Sequence, residues 1–280
     1  MGEHRRRRRG VTGLSLVTAV SVTLFAIHQD SACADPIPAP TRTGKAYLFN
    51  MNTGTGNCSL AGAAKGTLFA SVSPQEYAGS RACGTFLAVA GPRGIVRVQV
   101  VDQCPGCRLG DLDLNQAAFE RITDRGKGVE SIAYRQIRDP SPAKALSFRV
   151  KPGSSTSWAA VQVIDHGNPV KLVELRAGDD WLDLRRGTDN YWVSAKGAGK
   201  RFDLRVSDAY GSRRTVHDLE LEPGRVQRTK VKLYGTAKRK PEPAVNERPL
   251  ERPAPLEQPT PVPAPPKPAA AENRCFRAPA

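Results

Sequence analysis

Two aspartates in one short run have the types and spacing to do chemistry. The run is VVDQCPGCRLGDLDLNQAAF, residues 100–119, with Asp102 and Asp113 on either side of a Cys104-x-x-Cys107 pair. Asp102 is expected to end a strand and Asp113 to start a helix a short hop later. Both have apolar neighbours, Val100 and Val101 for one, Leu112 and Leu114 for the other, so their side chains are expected at one end of one domain. Inverting glycoside hydrolysis needs two carboxyls about 6.5–9.5 Å apart with a water between them, and acids this near in sequence could meet that spacing. They could equally form one hydrogen-bonded cluster, with Asp113 capping the next turn and Asp102 binding loop amides. Asp111 reads as an exposed neighbour. The Cys-x-x-Cys pair is half of a zinc site or a disulfide. Zinc needs two further ligands, and downstream only His166 and His217 remain, without metal-like spacing, so no metal and no cofactor is expected.

The elements around these acids read as follows. IVRVQVV, 95–101, alternates Val96, Val98 and Val100 with Arg97 and Gln99, which is a strand. SPQE, 73–76, is a capping box with Pro at the first helical position and opens a short helix through Tyr77. Asn115 caps a second helix carrying Ala118, Phe119 and Ile122, expected to end at Gly126. Residues 44–140 are thus short strands with two short helices. After the link PSPAKAL, 140–146, the runs SFRVKPG, WAAVQVIDHG, PVKLVELRAG, WLDLRRG, YWVSAKG, FDLRVSDAYG, TVHDLELEPG and VQRTKVKLYG each end in turn residues. Seven or eight short strands over about 145–235 suggest a β-sandwich. Strand periodicity puts Trp181 and Trp192 in its core.

The ends of the chain are different. Arg5 to Arg9 precede an apolar run from Val11 to Ile27, and Ala32-Cys33-Ala34 follows. That is the pattern of a secretory signal peptide over 1–34. A membrane anchor is the alternative, but a run of about 17 residues is at the short limit for spanning, so membrane contact is expected only before cleavage. Removing the leader takes away five arginines and two acids, and the formal charge goes from +15 to +12. An exported protein this basic should bind polyanions, acidic wall polymers more plausibly than nucleic acid. No aromatic residues interleave with a basic stripe, which argues against a single-strand nucleic-acid platform. Five cysteines would remain, and export favours disulfides. Cys58–Cys83 with Cys104–Cys107 is the economical pairing, although sequence does not fix connectivity, and Cys275 is left over. Residues 236–280 are Pro-rich and nearly free of large apolar side chains, as in a disordered, extended tail.

Taken together, VVDQCPGCRLGDLDLNQAAF, the upstream NCS (57–59), ACGTFLAVAGPRG (82–94) and the downstream KPGSSTSWAAVQVIDHGNPV (151–170) resemble the bacterial expansins. The resemblance covers roughly residues 44–235. Its signature is D-x-x-P-G with L-D-L ahead of an A-F helix, then G-S-S-x-x-W-A-A-x-Q-V in a second domain. It implies an all-β fold, a six-stranded double-psi β-barrel followed by an immunoglobulin-like β-sandwich that binds carbohydrate. It implies a secreted protein that binds cellulose and acidic cell-wall polysaccharides, with peptidoglycan as a further wall polymer, and loosens the wall without hydrolysis. Asp113 matches the acid essential to loosening, and Asp102 matches a second acid in the same groove. Tyr47 lies on the first strand, where the family places a hydroxyl. The related endoglucanases carry a further catalytic base, and this sequence has no convincing counterpart. In the second domain the family stacks a row of aromatics on sugar rings. Ser157 stands at the first position of that row and Trp158 at the second; the third falls near Asp189, with Tyr191 two residues on. The implied platform is Trp158 plus Tyr191, flanked by Lys151. The competing readings are a peptidoglycan lytic transglycosylase, because double-psi barrels with one essential aspartate occur there too, and a wall-binding protein led by charge.

Overall fold

A computed structural model describes residues 40–49, 55–60 and 67–235; the leader over 1–34 and the tail with Cys275 lie outside the described residues. The first half closes into a barrel of six strands: β1 (Arg42–Phe49), β2 (Phe69–Val72), β3 (Phe86–Gly91), β4 (Gly94–Gln103), β5 (Leu112–Asn115) and β6 (Val129–Ile137). Around the barrel the order is β1-β5-β2-β4-β3-β6. Two neighbouring pairs, β1 with β5 and β2 with β4, run parallel and the rest antiparallel. This is the double-psi arrangement, and closure leaves the barrel without a free edge. Alternation fills the interior: Val96, Val98 and Val100 of β4 and Leu112 and Leu114 of β5 are all buried.

Two short helices sit between the strands, and the local signals for them work differently from expectation. In α1 (Pro74–Tyr77) the Ser73 hydroxyl makes no cap bond; it donates to Glu76 Oε2 at 2.7 Å. Glu76 in turn accepts from Gly110 N at 3.3 Å and from the Tyr134 hydroxyl. The pair thus ties α1 to the loop that leads into β5. In α2 (Gln116–Ile122) the Asn115 side chain is likewise not a cap. It bridges to β2 by accepting from Phe69 N and donating to Thr67 O. The helix stops at Ile122, short of Gly126, because Thr123 is extended and its hydroxyl bonds to buried Glu130. Asp111 is buried, not exposed, and accepts from Lys45 N at 2.8 Å.

The second half is a sandwich. β7 (Ala145–Val150), β8 (Ala159–Ile164), β11 (Arg185–Arg186), β12 (Trp192–Ser194) and β15 (Val226–Lys232) form a sheet ordered β11-β12-β8-β7-β15. β9 (Val170–Ala177), β10 (Asp180–Asp183), β13 (Arg201–Asp208) and β14 (Arg213–Glu220) form the facing sheet, ordered β10-β9-β13-β14. The run WLDLRRG splits at buried Leu184, giving β10 to one sheet and β11 to the other. Trp192 is core, 4% exposed. Trp181 is not. It stands half-buried on edge strand β10, with the Arg205 guanidinium 4.3 Å above its ring. Glu174 sits between Arg205 and Arg213, whose hydrogen bonds hold its carboxyl down to about 2.

Each half has its own apolar core, and polar groups join them. The Cys58 carbonyl accepts from Gln162 Nε2 at 2.8 Å and Asn190 Nδ2 at 3.2 Å. Arg149 Nη2 donates to Ser59 O. Tyr77 Oη donates to Thr188 O at 2.5 Å and Ser80 Oγ to Gly187 O at 2.8 Å. Arg186 donates to Ser80 O and Val170 O with its guanidinium 4.3 Å over Trp192. Six of these bonds cross between the halves and fix one relative orientation, where an apolar contact would permit sliding.

His166 lies at this junction, 2% exposed, with Nδ1 2.6 Å from Asn168 O. Burial, with Arg186 nearby, pulls its pKa down to about 4. The folded form therefore holds a neutral imidazole, while the unfolded chain protonates at its usual value of about 6.5. Stability is complete above about pH 6.5 and falls as pH drops toward 4, by about 3 kcal/mol. Denaturation midpoints between pH 7 and 4 should show this loss, and His166→Gln should flatten it. Glu174 adds its own loss lower still, between pH 4.5 and about 2.

Candidate functional site

One register line carries both acids. In the barrel, β2 lies between β5 and β4, and Ser71 of β2 is in register with Asp113 on one side and Asp102 on the other. Tyr47 of β1 is the partner of Asp113 on its far side. Residues in register share a face, so Tyr47, Asp113, Ser71 and Asp102 form a row across four strands. Ser71 is buried and the other three are half-buried. The row contains a hydroxyl that the residue types alone do not single out: Ser71 is one small residue in the four-residue run FASV.

The two acids have different settings. Asp102 Oδ1 accepts from Asn57 N at 2.7 Å and Gln103 N at 2.8 Å, so this acid holds the loops above the barrel. Gly56 makes that possible. Its φ is +58°, and a Cβ there would lie 2.4 Å from Val101 O and 2.9 Å from the Asp102 side chain. Asp113 is pushed above the usual carboxylate range, first by burial and second by the negative charge of Asp102. Its protonated form is thus favoured relative to a surface aspartate. Cys107 Sγ lies 3.6 Å from Asp113 Oδ1. That sulfur is in the Cys104–Cys107 disulfide and has no proton to give, so this is a packing contact. The other disulfide joins Cys58 to Cys83.

A cleft of about 330 Å³ continues from Asp102 toward the sandwich, lined by Gly56, Asn57, Ser59, Tyr77, Gln103, Thr188 and Asp189. The charges of Asp102 and Asp189, added to burial, push the Tyr77 phenol up to about 12, so it remains a hydrogen-bond donor. Asp189 pairs with Lys151 at 2.6 Å. Beyond the cleft comes the outer face of the five-stranded sheet. Arg149 and Lys151 share that face by alternation, as do Gln162, Ala160 and Trp158. Gln162 and Arg149 are at the barrel end; Lys151 and Trp158 are at the far end. Trp158 is 37% exposed. The loop before it is held by Ser155 N to Trp158 O at 2.6 Å, and by close approach of Gly197, where a Cβ would sit 2.1 Å from Thr156 O.

Tyr191 is not part of an exposed platform. It is 5% exposed, with the Arg149 guanidinium 5.9 Å and the Lys151 amine 5.1 Å from its ring. The reason is the junction itself. Arg149, Gln162 and Tyr191 stand on the face covered by the barrel loop at Cys58 and Ser59. The line of groups that remains accessible runs Asp113, Asp102, cleft, Lys151–Asp189, Trp158.

No family model matches the chain. Among curated relatives, it is 33% identical over 138 residues to Expansin-YoaJ of Bacillus subtilis, covering 49% of this chain and 59% of that relative. It is 28% identical over 152 residues to Expansin-B16 of rice, covering 47% of this chain and 56% of that relative. The chain thus spans less than two thirds of either. The solved structures reach further. The apo expansin of Clavibacter michiganensis is 40% identical, with TM-score 0.68, over 70% of this chain and 99% of that one. An aspartate-to-asparagine mutant of the Clavibacter expansin in complex with cellohexaose is 39% identical, with TM-score 0.67 and the same coverage. Barrel and sandwich follow in the same order across the whole of a solved expansin, and on that match this chain belongs to the bacterial expansin family.

Proposed function

We propose that this chain is a secreted, non-hydrolytic protein that loosens cell walls by binding cellulose-type glucan and displacing contacts between its strands. The observation that carries this reading is the accessible line from half-buried Asp113, past Asp102 and the cleft, to exposed Trp158. Such a line suits an extended polymer with several rings along it. The cellohexaose complex of the Clavibacter mutant supports a cello-oligosaccharide as the ligand class.

The mechanism follows from the two acids. Asp113, with its pKa raised, gives or takes a hydrogen bond at a sugar hydroxyl and competes with the neighbouring glucan for it. Asp102 spends Oδ1 on two loop amides, which suits a groove-holding role better than that of a base activating a water. Trp158 supplies a flat apolar face for a sugar ring, and Lys151, held by Asp189, a donor beside it. Trp158→Ala should weaken cellulose binding by about 1 kcal/mol or more, roughly five- to tenfold, in a depletion isotherm.

The test is a pull-down on cellulose, xylan and peptidoglycan at low and high salt. Binding to cellulose that survives high salt supports stacking, since charge-led binding falls with ionic strength. Binding lost on every polymer at high salt would favour the charge-led alternative, and anhydro-sugars released from peptidoglycan would favour a lytic transglycosylase.

A further inference from the structure

The Cys104-x-x-Cys107 pair is unused by the reading above, and its surroundings hold a third ligand. Cys104 Sγ, Cys107 Sγ and an Asp113 carboxylate oxygen all lie within 4.8 Å of one another. The acid comes from β5 and the sulfurs from the loop after β4, so the barrel itself brings them together. In a tetrahedral zinc site, bonds of about 2.3 Å to sulfur and about 2.0 Å to oxygen put neighbouring ligands about 3.5 Å apart. Cys107 Sγ and Asp113 Oδ1 already stand 3.6 Å apart. What blocks a cation is the sulfur–sulfur bond, because thiolates and not a disulfide are the ligands. That bond is the accessible one of the two. Cys104 is half-buried and Cys107 8% exposed, with exposed Pro105 and Gly106 between them, whereas Cys58 and Cys83 are both 0% exposed.

We propose that opening the Cys104–Cys107 disulfide turns this corner of the groove into a two-sulfur, one-oxygen site for a borderline-soft divalent cation such as zinc, with Asp113 as the third ligand and water in the fourth position. A reductant delivers two electrons to the sulfur–sulfur bond. With a phosphine, one water supplies the oxygen that ends on phosphorus and the two protons that end on the sulfurs. Zinc then displaces those protons as it binds the two thiolates and the carboxylate. Two thiolates and one carboxylate carry one more negative charge than the cation neutralises, which leaves the site able to compete for the metal. If Asp113 is the loosening acid, the bound cation takes it away from sugar hydroxyls; that consequence rests on the proposed function, and the site itself does not.

The test uses the full chain, reduced with a phosphine under anaerobic conditions and titrated with zinc against a chromophoric chelator, without polysaccharide. Alkylation and mass spectrometry should label Cys104 and Cys107 ahead of Cys58 and Cys83. The reduced chain should bind one zinc that the oxidised chain does not. Asp113→Asn should weaken it at least about tenfold, and Cys104→Ser with Cys107→Ser should remove it. Cobalt in place of zinc should show thiolate charge-transfer absorption that disappears in the double variant. Equal zinc affinity in the reduced parent and Asp113→Asn, or a site that survives in the double variant, would overturn the proposal. So would loss of the far-ultraviolet circular dichroism on reduction, because the third ligand is supplied only by the folded barrel.

Discussion

Asp113→Asn should bring extension of a cellulose strip under constant load down to the level of buffer alone. The substitution keeps the size and shape of the side chain and removes its titration. Three features make the effect large. Asp113 is half-buried within the Tyr47–Asp113–Ser71–Asp102 row, so its carboxyl works in a partly desolvated setting where a hydrogen bond counts for more. Burial and then the charge of Asp102 favour its protonated form, in which it donates as well as accepts. An amide offers both donor and acceptor but cannot exchange one for the other. Binding should change by no more than about twofold, since Trp158 stands in the other half of the molecule and distant sites act independently. Depletion isotherms on cellulose alongside the extension trace check both parts. Extension kept at the parent level in Asp113→Asn would remove this residue from the mechanism.

Phe119→Ala is expected to be the most destabilising single change in the barrel, by about 3–5 kcal/mol. Phe119 is 0% exposed, on α2, directly after the strand that carries Asp113. The helix packs on β4, β1 and β5, the strands of both acids and of Tyr47. Truncation leaves a cavity that those strands cannot close, because the barrel is pinned by its ladder on every side. Urea unfolding should show the loss in the midpoint of the barrel transition. A stability within about 1 kcal/mol of the parent would mean that α2 is not part of the cooperative core.

Much of this could be read from residues. Alternating runs locate β4 and the sandwich strands, and Asp102 stands near a strand end as the run 100–119 implies, whereas Asp113 lies in strand β5 and not at the start of a helix, which begins only at Gln116. Periodicity tells which face a side chain takes but not what covers that face. Tyr191 and Trp181 are the instructive pair. Tyr191 stands on an outer face that the barrel loop at Cys58 covers, and Trp181 sits on an edge strand that nothing in its own run marks as an edge. Capping signals are legible in kind and misleading in use: Ser73 donates to Glu76 instead of accepting from a helix amide, and Glu76 and Asn115 spend their side chains on partners far away in sequence. Asp111 is buried for the same reason, through Lys45 of β1. Ser71 enters the row only because a crossover places β2 between β4 and β5. Each of these depends on pairing between distant strands, which local pattern does not contain.

The most direct measurement follows strip length and soluble reducing ends in one chamber while the dose of the full chain is raised. Extension should grow with dose while the ends remain at the level of buffer alone. Soluble ends accumulating in proportion to protein added would contradict a groove that parts glucan strands without cutting them.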